Sequence, residues 1–140
     1  MVMALDSSQV DLSPLRAAAC IFLALEAALG AGWWILMAGS ATARAALIPP
    51  EVPAAVWFAI APADVVLYVV AAAASAWGLA RRRRWAVPVL LIHTGAALYA
   101  GLWCWSLAVS AQGPWLPAVL MATSMIALPL IARVAWKKAW

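Results

Sequence analysis

The sequence predicts an all-α integral membrane protein, a four-helix transmembrane bundle with short hairpin connections, and three observations carry that expectation. The 140-residue chain is 69% hydrophobic and 10% charged, with a mean hydropathy of +0.99. A soluble domain carries about 25% charged residues, so this chain lacks the polar surface to cover itself in water. Four apolar stretches reach the length of about 20 residues that a helix rising about 1.5 Å per residue needs to cross hydrocarbon. Basic residues concentrate at alternate ends of those stretches. The length suits one membrane domain over residues 1–140.

The first span is expected at Ala17–Ala38. "ATA" (Ala41–Ala43) after it resembles a signal cleavage site, but the leader holds Asp6, Asp11 and only Arg16. The apolar run also exceeds the 7–15 residues usual for such signals, so a retained anchor is expected. "GSATARAALIPPEVP" (Gly39–Pro53), with three prolines, is the longest connection. The second span follows at Ala54–Ala80 and ends at "RRRR" (Arg81–Arg84), a run too short for anything except a hairpin. The third span is expected at Trp85–Val109, the breaker residues "SAQGP" (Ser110–Pro114) form a turn, and the fourth runs over Trp115–Val134.

Basic residues favour the cytoplasmic side of membrane proteins. Arg81–Arg84 then mark the second connection as cytoplasmic, and four spans bring both termini to the same side. Arg16, Arg133, Lys137 and Lys138 join them there, leaving Arg44 alone outside. The expected orientation is N-in, C-in, in a membrane of the bacterial inner type. Between two spans the tetra-arginine run reads as a topological stop touching anionic lipid headgroups, not as a nucleic-acid patch.

Ten Trp in a chain this short suggest a cofactor box, but the topology distributes them. Trp77, Trp85, Trp136 and Trp140 fall at the cytoplasmic interface. Trp33, Trp34, Trp57, Trp103, Trp105 and Trp115 fall near the outer one. An apolar ring with a polar N–H suits the headgroup level, which accounts for most of them. Trp33, Trp57 and Trp103 are dense enough to line the mouth of a pocket.

Three titratable side chains lie within spans: Glu26, Asp64 and His93. Charges at this depth cost about 2.5–3.5 kcal/mol each on insertion scales, so they turn inward and find partners. On the second span Trp57, Ala61, Asp64, Tyr68, Ala71 and Ser75 share a helical stripe, with Asp64 and Tyr68 one turn apart. Pro62 removes a backbone donor and is expected to kink that helix. Gly30 and Gly32 suit close helix packing on the first span. His93, Ala96, Ala97, Ala100 and Cys104 form a small-residue stripe on the third. Counting rise from the cytoplasmic ends puts Glu26 and His93 about 12–15 Å deep and Asp64 about 24 Å deep. Two polar groups are therefore expected: Glu26 with His93, and Asp64 level with Trp33 or Trp34, Tyr99–Trp103, and Thr123–Ser124.

The function classes narrow from there. Cys20 and Cys104 form no CxxC pair and read as small buried hydrophobes. No HExxH, glycine-rich phosphate loop or carboxylate cluster for a hard metal occurs, and no nucleophile–base pair is indicated. Glu51 reads as a solvated charge near Arg44. "LIPPEVPAAVW" (Leu47–Trp57), with a Trp pair upstream, resembles the tryptophan-rich translocator/sensory family. That family has five spans and further Trp and Asn signatures, whereas this chain has four spans and no Asn, so membership does not follow. Small multidrug transporters also have four spans, but the loop lengths give no match.

The expected function is binding of a partner helix or an apolar small ligand, as an accessory subunit or a carrier-like protein. Asp64, Tyr68, Glu26 and His93 are the candidate ligand-binding or proton-titrating groups. Trp33, Trp57, Tyr99, Trp103, Thr123 and Ser124 are candidate pocket linings. Proton-coupled transport by a homo-oligomer is the alternative, as is a haem- or pigment-carrying subunit with His93 as single ligand. No other cofactor or metal is indicated. Partners are membrane lipid and other membrane subunits or further copies, not nucleic acid.

Overall fold

A computed structural model of the protein describes residues 13–138, which places the acidic leader and Trp140 outside the described residues. Four helices are long and apolar enough to span a membrane: Pro14–Gly39, Ala54–Ala80, Ala86–Ser110 and Leu116–Lys137. They match the four expected spans, extending the first and last by several residues. The long connection differs from a plain loop. It contains a short helix, Ala41–Leu47, begun by Ser40, whose side chain accepts from the Ala43 N–H at 3.1 Å. An Ala-rich run behind a serine cap is enough to form one further turn or two.

Arg44 in that short helix is not a free charge. Its guanidinium donates to the carbonyls of Met37 (2.6 Å) and Ala38 (3.1 Å), closing the C-terminus of the first helix. It also lies 5.9 Å from the Phe58 ring. The orphan carbonyls of the helix end thus take up this donor, and Glu51 is exposed, as its reading as a solvated charge expects. The other two turns share one device. Arg83 and Arg82 donate back to Gly78 and Leu79, as Gly113 and Gln112 do to Ala108 and Val109. Each closure needs a left-handed residue, supplied by Arg82 (φ 53°) and Gln112 (φ 52°) in place of the usual glycine.

Short turns make successive helices antiparallel neighbours. The Arg81–Arg84 hairpin marks one end of the bundle, called here the basic end. The short helix and the Ser110–Pro114 turn mark the other, the loop end. Toward the basic end the second helix packs closely against the first and third, and the third against the fourth. Small side chains permit this approach. Ala71, Ala72, Ser75, Ala76 and Gly78 are all buried, and a Cβ at Gly78 would stand 2.7 Å from that of Ala86. Gly30 is similarly tight against Val69 and Tyr68, whereas Gly32 faces open space. Leu23, Leu79, Leu90 and Leu128 fill the core between them.

The loop-end half is built otherwise. Close packing of the second helix on its neighbours begins at Val65, and Ala54–Asp64 stands further off. Trp34, Met37, Ile48 and Trp57 fill the interval, flanked by Trp33, Phe58 and Leu107. The change of regime falls at a π-helical segment, Val65–Val70. The helix runs through Pro62 unbroken, and the irregularity expected at that proline appears three residues later as a widened turn. The outward faces are predominantly apolar, with Leu29, Ile35, Leu102, Val109 and Ile126 all exposed. Trp77 with Trp85 and Trp105 with Trp115 form exposed ring pairs at 5.5 and 6.1 Å, one pair toward each end.

Candidate functional site

The polar side chains form two groups, each built on the second helix. Deep in the bundle Glu26 is a four-helix junction. His93 Nε2 donates to its Oε2 at 2.9 Å, the Tyr68 hydroxyl donates to Oε1 at 3.3 Å, and the Ser124 hydroxyl donates to the same oxygen. Tyr68 and Ser124 also touch at 3.2 Å, and the Tyr68 and His93 rings pack edge to face at 5.0 Å. First, second, third and fourth helices each contribute one member. Glu26, Tyr68, His93 and Ser124 are all buried, His93 completely. Three donors around one carboxylate satisfy a group that would otherwise be costly at this depth. His93 Nδ1 is buried without a partner.

The second group lies toward the loop end. The Trp34 indole N–H donates to Asp64 Oδ2 at 2.7 Å across the interval between the first and second helices. Asp64 is partly buried on the stripe that also carries Trp57 and Tyr68, all six of whose members turn away from the exterior. Trp57 is 5% exposed, and its indole N–H has no partner. Trp103 is half-buried with its N–H likewise unpaired.

Two expected neighbours part company. Tyr68, one turn from Asp64 along the stripe, bonds Glu26 instead. Ser124, counted level with Asp64, also joins Glu26. Rise along straight axes ignores helix tilt and the reach of long side chains, and Glu26 and Tyr68 both reach. Tyr99 is 69% exposed and faces outward. Thr123 is exposed too, its hydroxyl satisfied by the Leu120 carbonyl at 2.9 Å. Neither lines an interior site. Trp33 packs against the loop-end aromatic cluster.

A cavity of about 340 Å³ opens at the loop end, lined by Pro49, Glu51, Val52, Leu107, Ser110, Ala111 and Gln112. A separate gap of about 10 Å³, room for one water at most, shares Pro49 and Leu107 with it and is lined also by Trp57, Cys104 and Pro117. Of these residues only Trp57 stands out in the sequence as a candidate. The others come together because the short helix folds the Pro49–Val52 segment over the end of the third helix. No local pattern announces that contact.

A haem or pigment would have to reach His93 at Nδ1, the ring nitrogen left without a partner. One ring nitrogen is engaged by Glu26, the ring edge is covered by Tyr68, and the residue is sealed between helices. Among the described residues no three His, Cys, Asp or Glu side chains gather as a metal site, and Cys20 and Cys104 are free thiols.

The chain matches no family model, no curated protein and no solved structure. Its functional reading therefore stands on this geometry.

Proposed function

We propose that this protein binds a small, largely apolar ligand bearing a hydrogen-bond acceptor, in the loop-end half of a membrane-embedded bundle. It acts as a carrier-like protein or as the ligand-binding subunit of a larger membrane assembly. The basic end would face the cytoplasm of a bacterial cell, as the clustering of Arg81–Arg84 favours. The observation that carries the reading is the loop-end cavity, beside a small recess walled by Trp57, whose indole N–H is buried and unpaired. A volume of about 340 Å³ falls among those of small-molecule sites, which are mostly apolar with a few fixed polar groups. A buried donor without an acceptor is costly, and an acceptor on the ligand would relieve it. The Glu26 junction serves the architecture, since its oxygens are already satisfied and neither cavity reaches it.

The test is calorimetric titration of the full chain in detergent with benzylacetone, a neutral aryl ketone. Saturable binding that weakens about two- to tenfold in Trp57→Phe is expected, the worth of one hydrogen bond. Absence of saturable binding, or equal affinity in the variant, would refute the reading.

A further inference from the structure

We infer that the Arg81–Arg84 hairpin is a binding site for the phosphate of an anionic membrane lipid; this rests on the membrane reading of the chain and is independent of the loop-end ligand. All four arginines are exposed. The backbone beneath them is fixed, with the Arg81, Arg82 and Arg83 N–H groups donating to the Trp77 (3.0 Å), Leu79 (3.1 Å) and Gly78 (2.8 Å) carbonyls. The described residues hold three acids, and none stands beside the hairpin. Glu26 and Asp64 are engaged by His93 and Trp34 inside the spans, and Glu51 lines the loop-end cavity. Arg16, Arg133 and Lys137 bring further positive charge to the basic end. The leader's Asp6 and Asp11 can offset two of these charges at most. Arg44 at the loop end shows the contrast, since helix-end carbonyls use its guanidinium.

Two further observations point to a lipid. Trp77 and Trp85 flank the arginines, both exposed, with rings 5.5 Å apart and the Arg81 guanidinium 5.8 Å from the Trp77 ring. Indole rings settle at the headgroup level, which puts the guanidiniums where lipid phosphates lie. A guanidinium over a ring keeps its N–H edge free for a phosphate. The second observation is Arg82 itself, which holds a left-handed backbone (φ 53°) where a glycine would be less costly. Turn stability alone does not favour an arginine there, between like charges. A bound anion offsets that repulsion. A zwitterionic headgroup brings its own cation and offsets less, and free phosphate has no apolar body for the Trp pair to hold. Charge complementarity and the aromatic flank together fit an anionic lipid.

The decisive comparison is between short-chain phosphatidylglycerol and phosphatidylcholine, titrated into the full chain in neutral detergent and counted by native mass spectrometry. The anionic lipid should bind at least about tenfold more tightly. Arg82→Gly removes one guanidinium and relieves the left-handed residue. It should therefore melt higher in detergent while binding phosphatidylglycerol about fivefold more weakly, the effect of one arginine near an anionic surface. A residue that serves only the turn would not move the two readouts in opposite directions. Arg133→Gln, the same loss of charge on the fourth helix, should weaken binding less than about twofold, because salt screens exposed charges away from the phosphate. Equal binding of the two lipids, or binding of neither, would overturn the inference. So would unchanged affinity in Arg82→Gly, or equal losses in the two variants. Displacement of the lipid by inorganic phosphate at equal concentration would assign the hairpin to free phosphate and overturn the lipid as its occupant.

Discussion

From Val65 to the basic end, the second helix meets its neighbours through Ala71, Ala72, Ser75 and Gly78; from Ala54 to Asp64 it meets them through Trp57 and Phe58. The first set lets backbones approach until little but methyl groups separates them. The second holds helices apart and fills the interval with rings. In the tight half Glu26 collects three donors, one from each of the other helices, while Ser75 Oγ and His93 Nδ1 stay buried without a partner. In the open half the Trp57 and Trp103 indole N–H groups are unpaired, and Asp64 holds a single donor, Trp34. Close helix packing is thus concentrated at one end and aromatic filling at the other. A membrane helix bundle has little hydrophobic force between its helices, because lipid is as apolar as leucine. Close packing and buried hydrogen bonds must hold it together, and they need small residues. Large aromatic residues give up that packing for adaptable surface.

The comparison can be broken most forcefully at the junction. Glu26→Ala leaves His93, Tyr68 and Ser124 without their common acceptor and opens a void, and it should cost about 3–5 kcal/mol in unfolding from detergent. Glu26→Gln, which keeps an acceptor oxygen, should cost less. Equal and small losses for both would mean that the junction does not hold the tight half together. Next in size, Gly78→Ala forces a methyl against Ala86 and should destabilise by about 1–3 kcal/mol. Gly32→Ala, facing open space, should be neutral or stabilising by up to about 1 kcal/mol. The contrast between two chemically identical changes measures how tightly the second and third helices meet.

In the open half smaller effects are expected. Trp34→Phe removes the donor to Asp64 and should lower the unfolding free energy by about 1–2 kcal/mol. Trp57→Phe removes an N–H that bonds nothing and should change stability by less than about 1 kcal/mol while altering ligand affinity. A larger stability loss for Trp57→Phe than for Trp34→Phe would reverse the assignment of structural and binding roles. Smallest of all, Gln112→Gly relieves a left-handed residue at the third helix end and should raise stability by up to about 1 kcal/mol.

Much of this was legible residue by residue. The inward stripe Trp57–Ala61–Asp64–Tyr68–Ala71–Ser75 follows from helical periodicity, and that stripe does face the interior. Glu26 and His93 were placed level by counting rise, and they meet. The proximity of Asp64 to Trp34 followed from the same count. The count failed for Ser124 and for the pairing of Tyr68, because one dimension of depth says nothing of tilt or side-chain reach. Tyr99 and Thr123 stood at the right level and faced the wrong way. Glu51 read as a solvated charge and is exposed, while nothing local announced that Arg44 would close the first helix end.

What the sequence determines by itself is class and partition. Apolar runs of membrane-crossing length fix four helices, breaker and basic residues fix where they turn, and small against aromatic side chains fix which half can close. These are local properties, set by each residue's own chemistry and by its neighbours within a turn or two. What only the tertiary structure decides is which polar groups are satisfied and which are left over. Whether an indole N–H or a carboxylate finds a partner depends on residues thirty to a hundred positions away, and on how a folded loop lies across a helix end. The cavity between Pro49 and Gln112 belongs to that second kind, since no segment of the chain contains it.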